Sequence, residues 1–158
     1  MVIDDTQIRM IDRSIADIDT EFAPTVRPDA PVSDAAEALR SPDASAVVVL
    51  DEGRPVGIVT ESDIVAMVAE TDQQPPVRSI MSAPVVTVSP DETVGEVAER
   101  MKSRGVRHLP IVDGEAYCGM VSPKTLGPYL SRHRFDIEWS DEPLSVGDDV
   151  GGTLSLEK

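Results

Sequence analysis

Asp51-Glu52-Gly53-Arg54-Pro55-Val56-Gly57-Ile58-Val59-Thr60-Glu61-Ser62-Asp63-Ile64 reads as the end of one strand, a tight turn, a second strand and the start of a helix. Asp51, Glu52 and Gly53 have the short polar chemistry of a hairpin turn. Val56 to Val59 is a brief β-branched run suited to a buried strand. Thr60 with Asp63 fits the hydroxyl-x-x-acid signature of a helix start. Asp113-Gly-Glu-Ala-Tyr-Cys-Gly119-Met-Val-Ser122-Pro-Lys-Thr-Leu126 follows the same outline, with Gly57 recurring as Gly119, 62 positions on.

At that offset Thr25-Val26 matches Thr87-Val88, Pro28-Asp29 matches Pro90-Asp91, and Val32 matches Val94. Ala36-Glu37 falls on Ala98-Glu99, Ser41 on Ser103 and Val59 on Val121 without a gap. One supersecondary unit is made twice, and two such units share a core that neither builds alone. The expected class is α+β (α/β), two β-α-β-β-α units packed about a pseudo-two-fold axis. The first unit spans 14–70, a polar linker 71–76, and the second unit 77–130. Ile8, Ile11, Ile15 and Ile18 fall near one helical face, giving a lead-in helix assigned to residues 1–13 and shortened near Ser14. Residues 131–158 form an acidic tail.

Within the first unit the expected order is strand Thr25-Val26, helix Val32–Leu39, strand Ala46–Leu50, strand Val56–Val59 and helix Asp63–Glu70. Within the second it is a helical turn at Ser79–Met81, strand Val85–Val88, helix Val94–Ser103 behind a Thr93/Glu96 capping box, strands Leu109–Val112 and Cys118–Val121, and a helix from Pro123. Gly127-Pro128 cuts this last helix short, because a proline there removes a backbone bond and crowds the preceding turn. Cys118 aligns with Val56 and reads as a small buried hydrophobe.

The composition is globular, with 41% hydrophobic residues but only 3% aromatic ones, so the core must be aliphatic. A chain of this length buries roughly two-thirds of its unfolded surface. Its apolar runs, such as Ala46–Leu50, are far short of a membrane span, and the N-terminus lacks a secretory pattern. A single cysteine excludes an intrachain disulfide, so cytoplasmic localisation is the expectation. Twenty-nine acids oppose 14 bases, for a net charge of −15, and three of the bases are lysines. Such a surface repels nucleic acid and anionic membranes, and neither is expected as a partner. Dense acid with little lysine also suits a halophilic, salt-rich cytoplasm, where screening removes self-repulsion. An ordinary acidic mesophile protein is the alternative.

Ile80-Met81-Ser82, Val86-x-Val88-x-Pro90-Asp91-x-Thr93-Val94 and Arg107-His108-Leu109-Pro110-Ile111-Val112-Asp113 resemble the text of a cystathionine-β-synthase-type (CBS) domain. So do Val26-x-Pro28-Asp29, Val47–Asp51 and Gly57-Ile58-Val59-Thr60-x-x-Asp63-Ile64. The resemblance covers roughly residues 14 to 130. It implies a non-catalytic regulatory module that binds an adenosine-containing ligand (AMP, ADP, ATP or S-adenosylmethionine) between the units. It also implies a homodimer and a regulated partner protein that the sequence does not identify.

A carboxylate accepts both hydroxyls of a ribose, and a neighbouring hydroxyl adds a further bond. Thr60 and Asp63 supply that pair, with Ile58 leading into it. By the resemblance the opposing wall is Arg107, His108 and Lys124, cations placed for phosphate, while the adenine lies near Glu21 and Ser45. Asp63 has a second reading as a plain helix cap. The mirror furrow has Ser122 in place of Thr60, Thr125 in place of Asp63, and Ser45 and Ala46 in place of Arg107 and His108. It is expected to lack both sugar acceptor and phosphate donors. No catalytic constellation, metal-ligand set or phosphate-binding glycine loop is present in the sequence. The rival reading is a structural dimerisation module with a degenerate site.

Overall fold

A computed structural model describes residues 11–130. The lead-in helix and the acidic tail therefore lie wholly or largely outside the described residues. In the first unit β1 (Thr25–Val26) pairs in parallel with β2 (Val47–Asp51), which pairs antiparallel with β3 (Arg54–Val59). Two helices complete it, α1 (Val32–Ala38) and α2 (Glu61–Glu70). The second unit has α3 (Val94–Arg104), β4 (Leu109–Asp113), β5 (Ala116–Val121) and α4 (Pro123–Leu126). The β2–β3 turn takes positive φ at Glu52 (54°) and Gly53 (84°), as a tight hairpin matched to the strand twist requires.

Local signals held where the chemistry is local. Thr93 and Glu96 form the reciprocal box expected, with bonds of 2.9 and 3.1 Å. Gly127-Pro128 ends α4 after one turn and passes the chain into a 3₁₀ turn at Gly127–Tyr129. One strand is not made. Of Val85–Val88 only Val88 pairs, in a single parallel bridge to Ile111. The Thr87 carbonyl accepts a hydrogen bond from Arg100 Nη1 (3.1 Å), and Val85 and Val86 line a cavity instead. Arg100 is itself held by Glu92, whose carboxylate also accepts the Ser89 N–H at 3.0 Å.

Cys118 is exposed, contrary to expectation. The cause is a bulge: Ile111 opposes Gly119 and Val112 opposes Tyr117, so Cys118 is the extra residue without a cross-strand partner. The first unit carries the same bulge at Val49/Leu50.

The cores show why the repeat comes as a pair. Ile15 and Ile18, in the leading segment of the first unit, are buried among Val94, Val97, Met101, Leu109 and Leu126 of the second. Val77, Ile80 and Met81, in the leading segment of the second unit, pack with Ala35, Val47, Val49 and Val59 of the first. Backbone bonds pin both crossings: Ile15 N–H to Glu92 O (2.8 Å), and Val77 N–H to Ala30 O (2.8 Å). Each unit's leading segment thus completes the other unit's core. A third cluster, with Ala46, Val48 and Ile58 against Met120, forms the seam.

Candidate functional site

Thr60 follows β3 in extended conformation and caps α2. Its N–H and its hydroxyl both donate to Asp63 Oδ2, at 2.8 and 3.2 Å. Asp63 is therefore the helix-cap acid that one reading of the sequence allows, with both bonds on one of its two oxygens. Two residues earlier, Ile58 exchanges backbone bonds with Ser82 of the second unit, at 2.8 and 3.2 Å. That bridge draws the stretch from Ser82 to Val86 against the end of β3. Gly57 permits the approach, since the Met81 side chain occupies the space of the missing Cβ.

A cavity of about 740 Å³ opens between the units at this bridge. Of the residues singled out from sequence, Ser45, Ile58, Thr60, Arg107, His108 and Lys124 line it. Asp63 and Glu21 are not among its lining residues. Sequence reasoning missed Ser82, Pro84, Val85 and Val86 on one wall, and Gly105 and Val106 on another. The signal was available: Ser82-Ala83-Pro84 stands 62 positions beyond the segment 20–22, whose Glu21 the resemblance had already marked.

Arg107 and Lys124 are exposed and His108 is half-buried. Burial disfavours the charged imidazole and lowers the His108 pKa below its ordinary value; Glu21 opposes this shift and Arg107 adds to it. His108 therefore reaches the cavity as a neutral imidazole at neutral pH, leaving Arg107 and Lys124 as the standing cations.

Across the pseudo-two-fold axis the pairing repeats with one change. Glu21 exchanges backbone bonds with Met120 (2.9 and 3.3 Å), as Ser82 does with Ile58. Its carboxylate accepts the Ser122 hydroxyl at 3.0 Å. Thr125 closes locally on Ser122, accepting its N–H and donating to its carbonyl, both at 2.8 Å. Beside them the Tyr117 hydroxyl donates to Ala23 O at 3.1 Å, and burial pushes its pKa up to about 12. Among the described residues no group of three or more His, Cys, Asp or Glu side chains is arranged to hold a metal ion. Nor is any described helix long and apolar enough to cross a membrane.

Comparison with known proteins bears on this architecture. The chain is 34% identical over 119 residues to an uncharacterized 17.7 kDa protein of Acidianus ambivalens, covering 73% of this chain and 72% of that one. With three other curated relatives it aligns over only 37%, 29% and 24% of their lengths. Among solved structures, it is similar to the CBS domain of a CBS domain containing membrane protein from Sphaerobacter thermophilus. That match has a TM-score of 0.68 and 26% identity, over 80% of this chain and 93% of that one. It is also similar to the CBS domain pair of protein MJ0100 in complex with 5'-methylthioadenosine and S-adenosyl-L-methionine. There the TM-score is 0.65 and the identity 26%, over 73% of this chain and 93% of that one. The CBS domain model itself matches twice, at residues 15–70 and 77–126. With both repeats matched and the paired architecture shared, this chain belongs to the CBS domain family, as a tandem pair.

Proposed function

We propose that this chain is a non-catalytic sensor that holds an adenosine-containing ligand between its two CBS units. The observation that carries the reading is one inter-unit cavity lined by Thr60 of the first unit and by Arg107, His108 and Lys124 of the second. Thr60, on the cavity wall, would take one ribose hydroxyl, and Asp63, bonded to Thr60 but outside the lining, would take the other through its second oxygen; the cations would take phosphate. The related pair of MJ0100 carries 5'-methylthioadenosine and S-adenosyl-L-methionine, which supports the adenosine class. A ligand bridging both units favours whichever arrangement it fits better, and a partner protein detects that shift.

Calorimetric titration of the full chain with adenosine, AMP and ATP tests the reading. Asp63→Asn keeps a cap acceptor while removing the charge, so it should weaken all three about tenfold or more, with folding retained. Arg107→Ala should weaken AMP and ATP but spare adenosine. Equal losses for all three in Arg107→Ala, or no binding heat from the unmodified chain, would sink it.

The scaffold reading has one observation in its favour. Val65 and Val68, three residues apart on α2, are 67% and 65% exposed. A homodimer through this face is the matching expectation. Native mass spectrometry decides between the readings, because a pure scaffold dimerises without retaining or responding to nucleotide.

A further inference from the structure

We propose that the groove between the two hairpin tips is a docking surface for an arginine side chain of a partner protein. The groove shares no lining residue with the inter-unit cavity, so the inference stands apart from what that cavity binds.

Both units build the groove, which encloses about 600 Å³. The first supplies Phe22, Leu50 and Glu52, and the second Asp113, Glu115 and Tyr117. The chain has two phenylalanines and two tyrosines, and one of each meets here. Their ring centroids lie 5.1 Å apart with the planes tilted by 44°. Phe22 is 70% exposed, more than Val65 or Val68, so most of its ring is open to a partner. Its backbone is nevertheless fixed on both sides. Glu21 exchanges two bonds with Met120, and the Ala23 carbonyl accepts the Tyr117 hydroxyl at 3.1 Å. The aromatic surface is thus presented on a preset frame, which lowers the ordering cost of docking.

The charge around the rings selects the occupant. Glu52, Asp113 and Glu115 are exposed beside them. An aromatic face attracts a cation within about 6 Å of its centroid, and a carboxylate at its edge adds charge-assisted hydrogen bonds. Arginine meets both demands with one group, because a guanidinium stacks flat on a ring while its edge forks to a carboxylate. The chain supplies an instance at the groove's edge, where Arg54 Nη1 lies 3.8 Å from Glu115 Oε2 across the two units. With those side chains 57% and 77% exposed, the pair is weak and an incoming guanidinium can displace it. A groove so open encloses little of a free small molecule, which favours an arginine carried on a protein segment. Leu50 offers that segment an apolar contact beside the rings.

Nuclear magnetic resonance titration of the isotopically labelled full chain, without nucleotide, tests this. The probes are N-acetyl-arginine amide, its neutral citrulline counterpart, and the peptide acetyl-Gly-Leu-Arg-Leu-Gly-amide. The arginine amide should give saturable shifts at Phe22 and from Asp113 to Tyr117, the citrulline amide none, and the peptide the tightest binding. Phe22→Ser should weaken the arginine amide about two- to fivefold with the melting temperature unchanged. Glu115→Gln, at an exposed position, should weaken it by a similar factor and keeps the test decisive if Phe22→Ser lowers the melting temperature. Arg54→Ala, which removes the competing guanidinium, should tighten it. Equal shifts from the citrulline amide, or an affinity unchanged by both Phe22→Ser and Glu115→Gln, overturns the docking surface. A peptide that binds more weakly than the amide overturns the protein partner.

Discussion

Gly57→Ala tests the seam that positions the first furrow. A Cβ built on Gly57 would lie 2.3 Å from Met81 Sδ, 2.7 Å from its Cγ and 3.0 Å from its Cβ. The thioether end can swing aside, but the Met81 Cβ cannot move without its backbone. That backbone is tied on both sides, by Met81 N–H to Val77 O (3.1 Å) and by Ser82 N–H to Ile58 O (2.8 Å). Overpacking of this kind costs about 1–3 kcal/mol. For a chain of this size each kcal/mol shifts the melting temperature by roughly 2–4 °C. Differential scanning calorimetry should therefore show Gly57→Ala melting about 2–12 °C below the unmodified protein. Met81→Ala opens the space that the new methyl needs, so the double variant should be more stable than the summed single losses by about 0.5 kcal/mol or more. Because Ser82 moves with Met81, AMP binding should weaken in Gly57→Ala and recover in the double variant. A single variant that melts with the unmodified protein, or strict additivity in the double, refutes the reasoning.

Two predictions concern solution conditions. Burial, reinforced by Arg107 and opposed by Glu21, holds the His108 pKa below its ordinary 6.5, so the unfolded chain takes up that proton first. The contribution of His108 to stability is then complete above pH 6.5 and lost as the pH falls below it, and urea unfolding on either side of that value should show a weaker dependence in His108→Gln. A bound phosphate favours the imidazolium, so AMP binding should tighten on acidification while adenosine binding does not; parallel titrations that change equally would contradict this. For the halophilic reading, a net charge of −15 predicts a melting temperature that rises from low to molar potassium chloride. A flat response would assign the charge to ordinary acidity.

Much of the fold was legible because its signals are local. The Asp51–Gly53 turn, the Thr93/Glu96 box and the Gly127-Pro128 stop each depend on a few neighbouring residues, and each is present as read. The repeat itself needed only the offset of 62. Cys118 was misread because the bulge residue has no register partner to cover it, and its alignment to Val56, which sits half-buried at the matching bulge, carries no sign of that. Val85–Val88 was overread because β-branched residues favour a strand only when a partner strand is there to accept them.

What the sequence determined by itself was the inventory: two units, their turns and caps, and a set of cations among few lysines. Tertiary structure decided which segment serves which unit. Ile15 and Ile18 bury themselves in the second core and Val77 in the first, and Glu21 meets Ser122, 101 residues away. Such pairings depend on distances through space between segments whose local propensities are compatible with either unit. Only the packing of the two copies selects between them.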